Sequence, residues 1–298
     1  MKKTTKAIHF LIRIFNLESF IISQFIRTNN EIIKKLIPLN TGYKHNSIKK
    51  VVRDSTLFEL DISDYMQWYI WAGLKDLSWE LANKQPQSSC TILDIGANVG
   101  AFCLKLGAHL VNNNIDSKIL AFEPNPYVFK KLSNNLSFNG KLKNTILIEP
   151  LGISNKKEQL EFQWNKKNTG GGKFIVEKKG LTKNVELIEV VKIDDYVKEK
   201  SISNISFIKI DVEGFEPFVL QGAMQTIKKF KPNMFVEVSP KWWNKNGFSV
   251  KEVLQYFEEL NYVFYPLINE EIGDLETFIN LLEKKDQFNL FLTIQGLK

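Results

Sequence analysis

The sequence holds only two cysteines and three histidines in 298 residues, and each scarcity removes a class of chemistry. Cys90 and Cys103 are the only pair a disulfide could join, and both lie in or beside an apolar run next to a glycine-rich turn. They read as reduced, buried thiols, a composition that fits the cytoplasm. His9, His45 and His109 fall outside the strand ends identified below, so no histidine base is expected. A long hydrophobic run is missing as well. The basic segment Met1 to Lys6 leads into AIHFLIRIFNLESFIISQFI, but His9, Arg13, Asn16 and Glu18 interrupt it, so neither a signal core nor a membrane span is predicted. Internal repeats and low-complexity tracts are absent too.

Most of the chain also lacks a charge bias. The net charge is +7, yet residues 1–50 carry ten Lys and Arg against Glu18 and Glu31, a net of +8, which leaves −1 for the remainder. A body without a basic face argues against nucleic acid as partner. The basic character belongs to an extension, drawn here as residues 1–60, basic, amphipathic and helical. As a helix it sets Ile8, Leu11, Ile12, Phe15 and Ile22 on one face, with His9, Arg13, Asn16, Ser23 and Arg27 along a narrow polar one. Two readings stay open for residues 1–50: packing on the main domain or a second subunit, or peripheral contact with an anionic membrane.

From about residue 90, short apolar strands alternate with helix-length amphipathic segments, the pattern of a doubly wound α/β fold with a mostly parallel sheet. TILDIGA, KILAFEP and TILIEPLGI are predicted strands, with VGAFCLKLGAHL and NPYVFKKLSNNLSF as crossover helices. EQLEFQW, NKKNTGGGK, FIVEKK and VELIEVVKIDDYV break the rhythm and predict a β-hairpin insertion. Gly170–Gly172 within it read as a mobile loop able to close over substrate, or as a simple hairpin turn. The rhythm resumes with ISFIKIDVEG, the helix EPFVLQGAMQTIKKF, the strand NMFVEVS and the helix VKEVLQYFEELNY. FYPLI and NLFLTI are predicted to close the sheet as an antiparallel pair.

The chemistry concentrates at strand ends, where open α/β sheets bind ligands. In LDIGANVGAF an apolar strand delivers Asp94, and Gly96, Asn98 and Gly100 turn tightly into a helix. A dinucleotide turn needs a glycine where Asn98 stands, to admit a pyrophosphate. The turn therefore suits a nucleoside ligand without one. Glu123 ends the next strand, where a carboxylate can accept both ribose hydroxyls. Pro124 and Pro126 stiffen the loop that follows.

LDIGANVGAF, AFEPNPYVFKKLSNNL, the GGGK loop, VVKIDDYV and IKIDVEGFEPFVLQGA occur in that order. Together they resemble the FkbM family of methyltransferases, from about residue 60 to residue 240. The resemblance implies a class I, Rossmann-like methyltransferase domain over residues 61–298 with a seven-stranded sheet. It further implies S-adenosylmethionine as methyl donor and O-methylation of a sugar, glycan or natural-product hydroxyl. By position, Asp94, Gly96, Asn98 and Gly100 would hold the methionine moiety, and Glu123, with Pro124 and Asn125 beside it, the ribose. Leu151 and Gly152 would pass near the adenine.

Methyl transfer from a sulfonium asks the protein mainly to align the reacting atoms and to remove a proton. Asp211 and Glu213 in KIDVEG are candidates for that work, and Asp211 also borders the cofactor region. Lys209 is a further candidate, although strand alternation gives it a different face from the neighbours of Asp211. Glu237 ends the next strand. Asp211 and Glu237 are hard oxygen ligands able to hold Mg²⁺ or Mn²⁺; the alternative is a base and an acidic wall without metal, and no metal ligand is assigned. Tyr65, Trp68, Tyr69 and Trp71 read as core, and Trp242–Trp243, in an apparent polar loop, as acceptor contacts. Two rival functions are an NAD-dependent oxidoreductase and a non-catalytic S-adenosylmethionine-binding protein.

Overall fold

The computed structural model describes residues 3–84, 88–165, 168–175, 185–267 and 286–294. Helices α1 (Lys3–Ile14), α2 (Glu18–Thr28) and α3 (Glu31–Lys34) open the chain. The extension does not stay helical to residue 60. Strands β1 (Ile48–Arg53) and β2 (Thr56–Asp61) pair antiparallel, because IKKVVR and TLFELD favour the extended state. Asp54 and Ser55 both take positive φ, 48° and 62°, the tight turn that matches hairpin twist. The hairpin docks through α7 (Pro126–Phe138) and the residue after it: Asn135 Oδ1 accepts from Glu59 N, and Asn139 Oδ1 from Leu57 N.

Asp64 caps α4 (Tyr65–Trp71) by accepting from Gln67 N, and Asp76 caps α5 (Leu77–Asn83) through Ser78 N and Trp79 N. The alternating core follows as β3 (Thr91–Ile95), α6 (Ala101–Asn112), β4 (Lys118–Phe122), the α7 helix and β5 (Ile146–Glu149). The predicted strand TILIEPLGI splits here. Pro150 has no N–H for a ladder, and the chain leaves the sheet to form β6 (Gly152–Ile153) in a second one.

That second sheet also holds β7 (Glu158–Asn165), β8 (Asn168–Ile175) and β9 (Val185–Val191), in the order β6-β9-β7-β8. It contains the expected hairpin structure, with β7 antiparallel to both β8 and β9, and adds β6 parallel to β9. Gly170–Gly172 form neither a loop nor a turn but part of β8. A Cβ on Gly172 would collide with the Phe162 ring, so the glycine lets the two strands' partners close up. Lys166, Lys167 and the end of FIVEKK after Ile175 lie outside the described residues. KIDDYV is helical, as α8 (Ile193–Glu199), with Asp194 and Asp195 favourably placed in its first turn.

The chain then runs through β10 (Ile205–Ile210), α9 (Glu216–Gly222), α10 (Met224–Phe230), β11 (Asn233–Val238), α11 (Pro240–Lys245) and α12 (Val250–Glu259). The single helix expected over EPFVLQGAMQTIKKF breaks after Gly222, where a Cβ would overlap the Ser154 carbonyl. Strands β12 (Val263–Pro266) and β13 (Phe288–Thr293) close the sheet as the expected antiparallel pair.

The central sheet has seven strands, ordered β12-β13-β11-β10-β3-β4-β5, and β13 runs antiparallel to β11. Alternation along each strand builds two cores. Ile92, Phe207, Phe235 and Phe291 face α6 and α7, while Leu93, Ile208, Met234 and Leu292 face α8 to α12. Both thiols are buried and free, and Cys103 is shielded entirely. Trp68 and Trp71 join the first core as expected. Among the described residues, no helix is long and apolar enough to cross a membrane.

Candidate functional site

Parallel strands end together, and their register sets the site. Ile95 pairs with Phe122 and with Ile210, and Ile210 with Val236. One residue further on, Glu123, Gly96, Asp211 and Glu237 stand side by side across β4, β3, β10 and β11. Three carboxylates thus share a row with one glycine. A cavity of about 280 Å³ opens over this row, and all four residues line it.

Gly96 has to be glycine. Its φ is +85°, and a Cβ would overlap the Asp211 carbonyl oxygen. Asn98, at φ 50°, keeps the backbone turning, and its Oδ1 accepts from Val99 N. Glu123 braces this turn from the next strand: Oε2 accepts from Asn98 N at 2.8 Å, and Oε1 from Asn125 N at 2.9 Å. Burial raises the Glu123 carboxyl to about 7, against the lowering effect of those two N–H groups.

Lys209 lies at the centre of the charged wall. Its Nζ is 3.2 Å from Asp211 Oδ2 and 3.5 Å from Asp94 Oδ1, and it donates to the Gly96 carbonyl at 3.2 Å. Burial disfavours the ammonium, but Asp211 and Asp94 outweigh it and raise its pKa. Asp94 is fully buried and raised by burial, with Lys209 pulling the other way. It sits beneath the cavity and does not line it.

The remaining carboxyls are pushed toward their neutral forms. Burial, followed by the charge of Asp211, raises Glu237 to about 10. The same two causes raise Glu213 to about 8. Glu213 also holds a positive φ of 56°, a strained conformation for a residue with a side chain. A third carboxyl, Glu216, was not singled out from sequence. Fully buried and raised to about 7 by burial, it accepts from Val212 N and Gly214 N and so fixes the KIDVEG turn. Its signal was local: an acidic residue just before Pro217 at a helix start.

Of the cofactor candidates, Gly96, Asn98, Glu123, Pro124, Leu151 and Asp211 line the cavity. Gly100, Asn125 and Gly152 stand behind it. Gly100 caps α6 at φ 94°, Asn125 caps α7 by accepting from Tyr127 N and Val128 N, and Gly152 packs against Phe174 and Val190. All four catalytic candidates, Lys209, Asp211, Glu213 and Glu237, line it. None of the three histidines does. No cluster of three or more metal-ligating side chains exists among the described residues, so Asp211 and Glu237 do not form a recognisable metal centre.

Two further segments rim the cavity, and of these the sequence connects only Gly170–Gly172 to the site. Leu74 to Ser78 form one lip, and Thr169, Gly170 and Phe174 of β8 form a roof. Asp64 pins that roof, accepting from Thr169 N at 2.7 Å and Thr169 Oγ1 at 2.9 Å. Lys105 also reaches the cavity while pairing with Asp54 of the hairpin at 3.1 Å. These contacts span large sequence separations and have no local signature.

A second cavity of about 320 Å³ adjoins the first and shares Phe174 and Glu213 with it. Trp242 lines it, with Lys173 Nζ 4.5 Å and Lys245 Nζ 5.0 Å from its ring centroid. Trp243 does not reach either cavity. SPKWWNK folds as α11 rather than a polar loop, and helical spacing turns Trp243 inward, where it is buried and donates to Glu216. The expected role for the pair as acceptor contacts therefore fails for Trp243.

The sheet order, with one antiparallel strand near its edge, is that of a class I methyltransferase fold. The Methyltransferase FkbM domain matches residues 94–264, more than half of the chain. Methyltransferase sdnD of Sordaria araneosa is 26% identical over 200 residues, covering 58% of this chain and 73% of its own. The hexuronic acid methyltransferase AglP of Haloferax volcanii is 24% identical over 180 residues, covering 58% and 69%. The crystal structure of an FkbM methyltransferase from Methylobacillus flagellatus superposes with a TM-score of 0.43 at 18% identity, over 70% of this chain. The chain spans 44% of the length of that protein. With its site built on the matched segment, the chain belongs to the FkbM methyltransferase family.

Proposed function

We propose that the chain transfers a methyl group from S-adenosylmethionine to a hydroxyl of a sugar, glycan or natural product. The row Glu123, Gly96, Asp211, Glu237 carries this reading, because it joins a nucleoside-type pocket to a wall of carboxyl groups. The pocket suits such a donor on its own chemistry. Gly96 lines the cavity with backbone alone, and Glu123 keeps lone pairs for ribose hydroxyls beyond the two it uses on the turn. Phe122, Leu151 and Ile153 supply an apolar wall suited to a base.

The donor supplies a methyl carbon already activated by its sulfonium, so no Lewis acid is required. What is left to this chain is alignment of the acceptor and acceptance of its proton. Asp211, held by Lys209, and Glu213, raised to about 8, are the carboxyls that line the cavity where the acceptor's proton has to be taken up. Glu237, raised to about 10, instead keeps its proton and can donate a hydrogen bond to an acceptor oxygen. No metal enters this scheme.

The second cavity is the acceptor's approach. Neither Lys173 nor Lys245 has a carboxylate within ion-pair distance among the described residues, and both flank an indole. That chemistry favours a ring carrying an acid group, and the activity named for AglP supports a uronic acid as one such acceptor. The test is calorimetric titration with S-adenosylhomocysteine, using NAD as control and varying Mg²⁺. Micromolar binding of the nucleoside alone supports the proposal. Binding of NAD in its place, or a requirement for Mg²⁺, overturns it.

A further inference from the structure

The apolar residues of the extension do not all face the domain. In α1, His9 and Ile12 turn inward, and in α2, Glu18, Ile22 and Phe25 do. The opposite side carries Phe10, Leu11, Ile14, Phe15, Leu17 and Phe20, all exposed, with Phe15 at 66% and Phe20 at 63%. This is the reverse of the arrangement water favours for a surface helix. On a helical wheel, Phe10, Leu11 and Ile14 form one stripe of α1 opposite His9 and Ile12, and Phe15 continues it in the turn that follows.

The helices cannot simply roll to hide this stripe. His9 is hydrogen-bonded through Nε2 to the Lys35 carbonyl at 2.9 Å, and Ile22 and Phe25 belong to the core. Ile26 sits against Gly73, where a Cβ would collide with it. The apolar face is therefore held outward.

Charge identifies what covers it. Residues 1–50 carry a net +8 against −1 for everything else. Their only two acids are spent: Glu18 is buried, and Glu31 pairs with Lys34 at 3.1 Å. Lys6 and Arg27 are exposed on these helices. An apolar stripe with a cationic surround and no available carboxylate complements a bilayer bearing anionic headgroups. A second copy of the same face would instead bring like charges together.

We infer that α1 and α2 form an interfacial anchor that seats the enzyme on an anionic lipid surface, with Phe10, Leu11, Ile14, Phe15 and Phe20 entering the headgroup boundary. The test is co-sedimentation of the full chain with vesicles of phosphatidylglycerol and phosphatidylcholine in equal parts, against phosphatidylcholine alone, with light scattering in parallel. The intact chain binds the anionic vesicles, and binding weakens as salt rises. F15S combined with F20S lowers affinity about tenfold or more without shifting the melting temperature, because both side chains are exposed. K6Q combined with R27Q weakens binding to anionic vesicles only. Three results would overturn the inference: no vesicle binding by the intact chain, unchanged binding by F15S/F20S, or a dimer in solution that F15S/F20S dissolves.

Discussion

Trp243 and Glu216 are hydrogen-bonded in the interior: the indole Nε1 donates to Oε2 at 2.8 Å, while Oε1 accepts from Val212 N and Gly214 N. One buried carboxyl thereby ties α11 to the turn that presents Asp211 and Glu213 to the cavity. Trp243→Phe keeps an aromatic ring but leaves Oε2 without its donor. The expected loss is about 1–3 kcal/mol of stability, measured by chemical denaturation. Lower turnover without a matching loss of donor affinity is expected alongside, since the turn relaxes on the acceptor side.

Glu123 has a double duty, bracing Asn98 and Asn125 while facing the cavity. Glu123→Ala is expected to weaken S-adenosylhomocysteine binding about tenfold or more, read by calorimetry. Affinity equal to that of the intact chain would remove Glu123 from the ligand site.

Asp211→Asn preserves shape and can still meet the Lys209 ammonium through its amide oxygen. Donor binding is expected to stay near normal while turnover on a true acceptor falls about 100-fold or more. Retained activity would assign proton removal to Glu213 instead.

Acidity should stabilise this protein through Glu237. Its folded pKa of about 10 exceeds the ordinary glutamate value of 4.5, so between those limits the native state holds a proton that the unfolded chain releases. Stability from this group is full below the lower value and is lost as pH rises toward the upper one, by at most about 1.4 kcal/mol per pH unit. Glu237→Gln, neutral and of similar shape, is expected to flatten the fall in stability between about pH 6 and about pH 9, measured by denaturant unfolding at both.

The strand ends were readable in the sequence because short-range rules govern them. An apolar strand, a glycine turn and an acid at the next strand end mark β3, β4 and their ligand pocket without reference to distant residues. The same holds for Lys209, Asp211 and Glu213, which sit in one continuous string and reach one wall. Local rules failed where a second segment decided the outcome. Gly170–Gly172 look like a flexible turn, yet they lie in β8, and Phe162 from the neighbouring strand fills the space a side chain at Gly172 would need. Trp243 looks like a surface aromatic until α11 forms and Glu216 meets it.

The sequence by itself determined the alternating α/β core, the glycine turn after β3 and the basic extension, since each rests on periodicity, on backbone freedom at glycine, or on charge counted along the chain. Only the tertiary structure decided that Gly96, Glu123, Asp211 and Glu237 form one row, that β8 roofs the cavity through Asp64, and that the extension turns Phe10, Phe15 and Phe20 outward. Register between strands and the burial of one helix face depend on contacts between residues far apart in the chain, and a pattern read locally holds no information about them.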